Sequence, residues 1–320
     1  MKDSVNWNEL QLKDGVYFYD ETPYSGKVFA FYDNGQKSYE HTLEMGKYHG
    51  LSTSWYEKGG RSLEVIYQEG KVHGHQTDWY ENGVMKSKSY YQDDEMVLFE
   101  KWYESGQKEK ELTHDTMTEW RRNGNKRTQK IFVGDQTKGL SGTWTKYYES
   151  GEKYKELNYK DGKLNGLAIK WYKNGQKASE STFNAAQGWL VDVWNPNGEK
   201  CSETNFKNGS GTIISYDDKG SVLSRNNYNE GNLDGICFNS YRNGQKKEES
   251  VYKNGKLYSQ VAWRMNGANC PLTNIQDGNG QEVFYDSESG VPLMLNCYKN
   301  GEKENIPISD WPSWLQDEIS

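Results

Sequence analysis

Short alternating segments, six to eight residues each, run along nearly the whole chain, separated by turn signals rich in Gly, Asn and Lys. In Leu167-Ala168-Ile169-Lys170-Trp171-Tyr172 the large residues Leu167, Ile169 and Trp171 recur at every second position. Leu51, Thr53 and Trp55 repeat the arrangement, as do Lys27, Phe29 and Phe31. A period of two is that of a β-strand, and the segments are too short for helices. The opposite side carries Ser52, Ser54 and Tyr56, or Ala168, Lys170 and Tyr172. This predicts a one-sided sheet whose core face bears Trp55, Trp79 and Trp171. Each segment is followed by a turn and a second one in which Glu stands three residues after a basic residue and an aromatic three further on. Examples are Arg61, Glu64 and Tyr67; Lys153, Glu156 and Tyr159; Lys177, Glu180 and Phe183. The aromatic is expected to join the core and the Glu to face solvent, which requires a hairpin loop of odd length.

These segments form a repeat. The phrase Trp171-Tyr172-Lys173-Asn174-Gly175-Gln176-Lys177 recurs as Phe31-Tyr32-Asp33-Asn34-Gly35-Gln36-Lys37 and Trp102-Tyr103-Glu104-Ser105-Gly106-Gln107-Lys108. Its glycines stand at Gly35, Gly60, Gly83, Gly106, Gly124, Gly151, Gly175, Gly198, Gly220, Gly244, Gly267 and Gly290, a mean step of about 23 residues. A second turn alternates with it, as in Gly46-Lys47-Tyr48-His49-Gly50 and Gly162-Lys163-Leu164-Asn165-Gly166. Gly and Asn at both turns accept positive φ at little cost, which marks hairpins. The fold class that follows is all-β: an elongated solenoid of about twelve stacked hairpins with a short C-terminal helical cap. Residues 1–20 are assigned to an N-terminal cap or edge and residues 21–301 to the repeat array. The array is irregular over 112–142, where steps of 18 and 27 residues replace two regular ones. Residues 302–320 form a capping tail in which Pro312 opens a short helix carrying Trp311, Trp314 and Leu315 over the open end.

Composition sharpens the picture. Leu, Ile, Val and Phe make up only about a sixth of the residues, a level common in disordered chains. The 24 Tyr and 12 Trp compensate, since each ring buries a large area. A net charge of −7 argues against nucleic-acid binding, which calls for a basic stripe. Cys201, Cys237, Cys270 and Cys297 lie 27 to 36 residues apart, so they read as unpaired thiols in a reducing cytoplasm. The polar start at Met1-Lys2-Asp3-Ser4 shows no signal peptide, and no apolar run is long enough to span a membrane.

The aromatic-Tyr-x-Asn-Gly-x-Lys phrase, carried best by Trp79-Tyr80-Glu81-Asn82-Gly83, Trp171 to Lys177 and Tyr252-Lys253-Asn254-Gly255-Lys256, resembles the MORN-type repeat. It is most similar to the variant repeat of the bacterial YwqK antitoxin family, and the resemblance covers roughly residues 15–301. It implies a monomeric protein-binding scaffold of immunity or antitoxin type, which occludes a toxin partner in the bacterial cytoplasm. The alternative it implies is a structural or membrane-proximal scaffold. The units at Trp120-Arg121-Arg122, Trp194-Asn195-Pro196 and Trp263-Arg264-Met265 lack the second aromatic.

No catalytic, metal or cofactor motif stands out, so the expectation is a protein that is not an enzyme and needs no cofactor. His49 and His73 occupy equivalent second-turn positions that Asn165 and Asp234 fill elsewhere, which marks them as turn residues. Asp277-Gly278-Asn279-Gly280 resembles part of a calcium loop but stands where a turn is due. Two rows remain as candidates for partner contact. One is the tyrosine row Tyr32, Tyr56, Tyr80, Tyr103, Tyr148, Tyr172 and Tyr241, because Tyr is enriched among interface anchors. The other is an acidic row at one repeat position, Glu40, Glu64, Glu111, Glu156, Glu180, Glu203 and Glu249, represented by Glu64, Glu156 and Glu180, which would meet a basic toxin surface. Both rows also have plain structural readings, as packing beside the turn and as a solvated ladder neutralised by Lys.

Overall fold

The computed structural model describes residues 3–92, 94–134, 137–184, 187–285 and 292–304. They form two compact units, one of residues 1–134 with 146–151, the other of residues 135–145 with 152–320. Both units are β, and the one helical element among the described residues is the single 3₁₀ turn Trp7–Glu9. The proposed C-terminal helix lies outside the described residues.

In the first unit the strands Gly26–Phe31, Lys37–Glu44, Gly50–Trp55, Arg61–Gln68, Lys71–Trp79, Met85–Gln92, Glu95–Trp102, Lys108–Leu112, Thr116–Trp120 and Lys126–Phe132 pair antiparallel, each with the next. The N-terminal strand Ser4–Asn6 runs parallel to Gly26–Phe31 and satisfies its free edge. Behind it, Val5, Tyr24, Val28 and Leu43 are buried together, with Trp7, Tyr17 and Tyr48 packed around them. In the second unit Lys153–Lys160, Lys163–Trp171, Lys177–Asn184 and Gln187–Val193 form one antiparallel run. A second run extends from Gly211–Tyr216 to Glu302–Glu304. Between them, residues 194–210 make only isolated bridges, and their Cys201 and Phe206 are buried with Val191, Val193 and Ile214. Glu203 therefore sits outside any strand and pairs with Arg225 at 2.9 Å.

Two turns alternate, and each has a physical signature. At Met45-Gly46 both residues take positive φ, 49° and 75°, the geometry of a two-residue hairpin turn that matches strand twist. Asp277-Gly278 is another such pair, at 48° and 76°. At the Asn-Gly turn, the Gly35 amide donates to the Tyr32 carbonyl at 2.9 Å and the Tyr32 amide donates to the Gln36 carbonyl at 2.8 Å. The Asn34 side-chain oxygen accepts from the Gln36 amide at 2.9 Å. In the second repeat the positive-φ glycine is Gly59, at 93°, not the Gly60 that the sequence pattern picks out, and Gly59 donates to Tyr56.

After this turn the ladder slips by one residue in every regular repeat: Phe31 faces Lys37 while Ala30 faces Tyr39, and Trp171 faces Lys177 while Lys170 faces Ser179. This bulge brings the turn Lys onto the same face as the Glu three residues later, an arrangement that plain alternation forbids. It also decides the faces. Glu64 pairs with Thr53 and Glu180 with Ile169, so the glutamates share a face with the tryptophans. The other face carries Ser52, Val65, Ala168, Ser250 and Cys237, all buried, together with aromatics such as Tyr67 and Phe183. The expected Trp-bearing core is therefore corrected. Trp55, Trp79 and Trp171 are half-buried on the outer face, where Leu51 and Phe31 are exposed. The aromatic-inward, Glu-outward reading of the second strand agrees with this geometry.

Candidate functional site

Two lattices hold successive repeats together, and both use residues that the sequence nominated for partner contact. In the first, each turn tyrosine donates its hydroxyl to the backbone carbonyl of the next repeat's last outer-strand residue. Tyr32 reaches Trp55 at 2.7 Å, Tyr56 reaches Trp79 at 2.6 Å, Tyr80 reaches Trp102 at 2.9 Å and Tyr103 reaches Trp120 at 2.8 Å. Tyr172 reaches Trp194 at 2.8 Å and Tyr241 reaches Trp263 at 2.9 Å. The turn asparagines run beside them, with Asn34 donating to Glu57 at 3.0 Å and Asn174 to Pro196 at 2.9 Å. Where Arg121 replaces the tyrosine, its guanidinium donates to the Tyr147 carbonyl at 2.9 Å. Tyr148 is half-buried at the same repeat position. Tyr172 and Tyr241 are buried, at 5% and 9% exposure, with their hydroxyls bonded within the array. Burial raises the Tyr56 and Tyr241 hydroxyl pKa values, consistent with neutral donors.

The second lattice lies on the outer face. Lys37 bonds Glu40 at 2.6 Å and stands over the Trp55 ring at 5.6 Å. Lys153 bonds Glu156 at 2.6 Å beneath Trp171 at 5.5 Å, and Lys177 bonds Glu180 at 2.5 Å beside Trp194 at 5.0 Å. Lys246 repeats this with Glu249 and Trp263, and Lys108 with Glu111 and Trp120. Arg61 pairs with Glu64 at 3.0 Å. Glu40 also meets Lys27 at 2.9 Å, and hydrogen bonds from Lys27 and then Lys37 hold its carboxyl below the ordinary range. The acidic row is thus electrically compensated: Glu64, Glu156 and Glu180 all face outward but each is bridged to the cation next to its own turn.

What the sequence did not single out is a band of aliphatic side chains on this outer face, near the two-residue turns. In the first unit Leu51 is 53% exposed and lies directly across from Ile66, 37% exposed. Tyr90 and Ile131 extend the row, and Tyr90 contacts His75 edge-on at 5.2 Å. In the second unit Leu167 and Leu190 flank Thr182, and Ile236, 55% exposed, faces Val251. The signal was present as the residue after the second turn's last glycine, in Gly50-Leu51, Gly166-Leu167 and Gly235-Ile236. It was assigned to the core because it alternates with Trp.

This hairpin, from one two-residue turn through the Asn-Gly turn to the next, is also the unit found by comparison. The model of the MORN repeat variant matches residues 72–93, 140–161, 164–185 and 233–254. The chain carries MORN-variant repeats. Each matched MORN segment contains one outer strand, one Asn-Gly-type turn and a second strand, which bears Glu156, Glu180 or Glu249 in three of them and Lys88 at the equivalent place in the first. No curated protein matches the chain. Among solved structures, the crystal structures of TcdB2-TccC3-Cdc42 and of TcdB2-TccC3 are similar over 87% of this chain, at 11% identity and TM-scores of 0.18 and 0.17. The chain spans 16% and 17% of those chains, and similarity at that level decides neither fold nor function. Among the described residues no helix is long and apolar enough to cross a membrane, and no cluster of three His, Cys, Asp or Glu could hold a metal ion.

Proposed function

We propose that this chain is a non-enzymatic protein-binding scaffold of immunity or antitoxin type, which neutralises a toxin in the bacterial cytoplasm by covering it. MORN repeats are protein-interaction modules, and four segments here match their variant. The observation that carries the reading is the outer aliphatic band, Leu51 with Ile66 in one unit and Leu167 with Leu190 and Ile236 in the other. Contiguous exposed apolar side chains rimmed by polar groups mark protein contact surfaces. Here the rim is the row of Lys–Glu pairs, which carries little net charge of its own. The partner's apolar side chains would fill the band, and the overall charge of −7 would favour a basic partner and speed its approach.

The test is affinity capture on the tagged full-length chain from its native host, followed by activity assay of whatever is retained. A captured protein that is toxic alone and silenced by equimolar addition of this chain supports the reading. Retention by phospholipid vesicles with no protein captured would replace it with a membrane-proximal scaffold.

A further inference from the structure

On the inner face of the second unit lies a groove of about 920 Å³, in the size range of ligand-binding clefts. It forms where the ladder is interrupted. Residues 194–210 make only isolated bridges, so one wall is carried by Phe206 and Tyr228, whose rings meet edge-on at 5.5 Å. The other wall is the inner row Ser179, Ser181 and Phe183, with Lys170 across from Ser179 and Gly188 across from Phe183. Small residues open the space. Leu63 and Val65 stand at the places of Ser179 and Ser181 in the second repeat, and Tyr39 and His41 in the first. A Cβ on Gly188 would lie 3.4 Å from the Phe206 ring, so a larger residue there would close one end.

The groove has two unlike ends, separated by the four residue steps from Ser179 to Phe183, about 13 Å along the strand. The Phe183 end is aromatic. The Ser179 end is basic. Lys170 is the one cation among the described lining residues, and Lys155 lies directly opposite it in the ladder. Like charges so placed on a sheet repel, and an anion beside them relieves the cost. The one anion among those lining residues, Glu230, lies in the two-residue turn beyond Tyr228, so the far end disfavours a second negative group. We propose that the groove binds an aromatic monocarboxylate. Its carboxylate accepts from Lys170 and from the hydroxyls of Ser179 and Ser181, and its rings pack against Phe183, Phe206 and Tyr228. The outer aliphatic band uses the other side of the same strands, with Leu167 outward and Ala168 buried inward, so this ligand does not compete with a protein partner.

Isothermal titration calorimetry on the full-length chain tests this with biphenylcarboxylate, an elongated pair of rings bearing one carboxylate. It should bind saturably, and the neutral biphenylmethanol and the aliphatic decanoate should each bind at least tenfold more weakly. Lys170→Met, a change at an exposed position, should leave the denaturation midpoint as in the parent and weaken biphenylcarboxylate at least tenfold. Ser181→Phe, which returns a large residue to the inner row, should abolish binding. Absence of saturable binding overturns the proposal. So does equal binding of the alcohol or of decanoate, or parent-like affinity in Lys170→Met. Parent-like affinity in Ser181→Phe overturns it as well, because the ligand would then sit outside the groove. None of these results bears on partner binding by the outer band.

Discussion

The phenolic oxygen of Tyr56 lies 2.6 Å from the carbonyl oxygen of Trp79, 23 residues later, and this one bond joins a turn to the end of the neighbouring repeat's strand. The same contact recurs from Tyr32, Tyr80, Tyr103, Tyr172 and Tyr241. A repeat that touches only its neighbours gains stability mainly through such interfaces. The tyrosine is therefore a joint of the array before it is anything else.

Replacing that hydroxyl isolates the joint. Tyr80→Phe should destabilise the first unit by about 0.5–1.5 kcal/mol, the usual net value of a hydrogen bond, because the Trp102 carbonyl loses its donor while the ring stays. Tyr56→Phe should cost a similar amount, and because its acceptor, the Trp79 carbonyl, belongs to the peptide bonded to the Tyr80 nitrogen, the double variant measures the coupling between adjacent joints. Urea denaturation measures both. Parent-like midpoints in both variants would mean that water replaces the hydroxyl at no cost.

The reversal of faces makes a second test. Leu43 is 1% exposed in the N-terminal core, and Leu43→Ala should cost about 2–5 kcal/mol. Trp55 is half-buried with Lys37 over its ring, so Trp55→Ala forfeits a cation–π contact of about 0.5–1 kcal/mol and only part of the ring's burial. Leu43→Ala should therefore be the more damaging change, although Trp is the larger side chain. The opposite order in denaturant midpoints would restore tryptophan to the core.

Acid sensitivity should centre on His41. Its ring stacks on Tyr39 at 4.8 Å, its Nδ1 is buried without a hydrogen-bond partner, and burial lowers its pKa from 6.5. The unfolded chain binds this proton more readily than the folded one. The stabilisation is thus complete above about pH 6.5 and is lost as pH falls below that value. Denaturant midpoints of the first unit should drop between pH 7.5 and pH 5.5, and His41→Gln should flatten that drop. An equal drop in the variant would assign the acid response to other groups.

The repeat length, the two turn classes and the all-β class were legible because Asn-Gly and Gly-Lys recur with their glycines at positive φ. The pairing of Lys177 with Glu180 was only half legible. Their spacing is visible, but on an unbroken strand such residues point to opposite faces, and only the bulge between Lys170 and Trp171 brings them together. Which face of the first strand is inner was not legible, although the second strand's orientation, Glu64 outward and Tyr67 inward, was. Alternation separates Ser52 and Val65 from Thr53 and Trp55, yet ring size favoured the wrong side, because the lysine cover on Trp55 comes from Lys37, a full hairpin away. Glu203 was placed in the acidic row by count, and the interruption at 194–210 removes it.

The outer band yields the prediction that bears most directly on function. Leu51→Lys and Ile66→Lys place charges on side chains already 53% and 37% exposed, so each should leave the denaturation midpoint within about 0.5 kcal/mol of the parent. Partner affinity should nevertheless fall at least tenfold, because an apolar contact would be replaced by a buried, unpaired charge in the complex. Ile236→Lys makes the same test in the second unit. Tyr80→Phe serves as the converse control, with reduced stability and unchanged affinity. Isothermal titration calorimetry with the captured partner distinguishes the cases. If the lysine variants bind as the parent does while Tyr80→Phe binds more weakly, contact runs along the turn edge through the tyrosine rings, and the aliphatic band is not the binding surface.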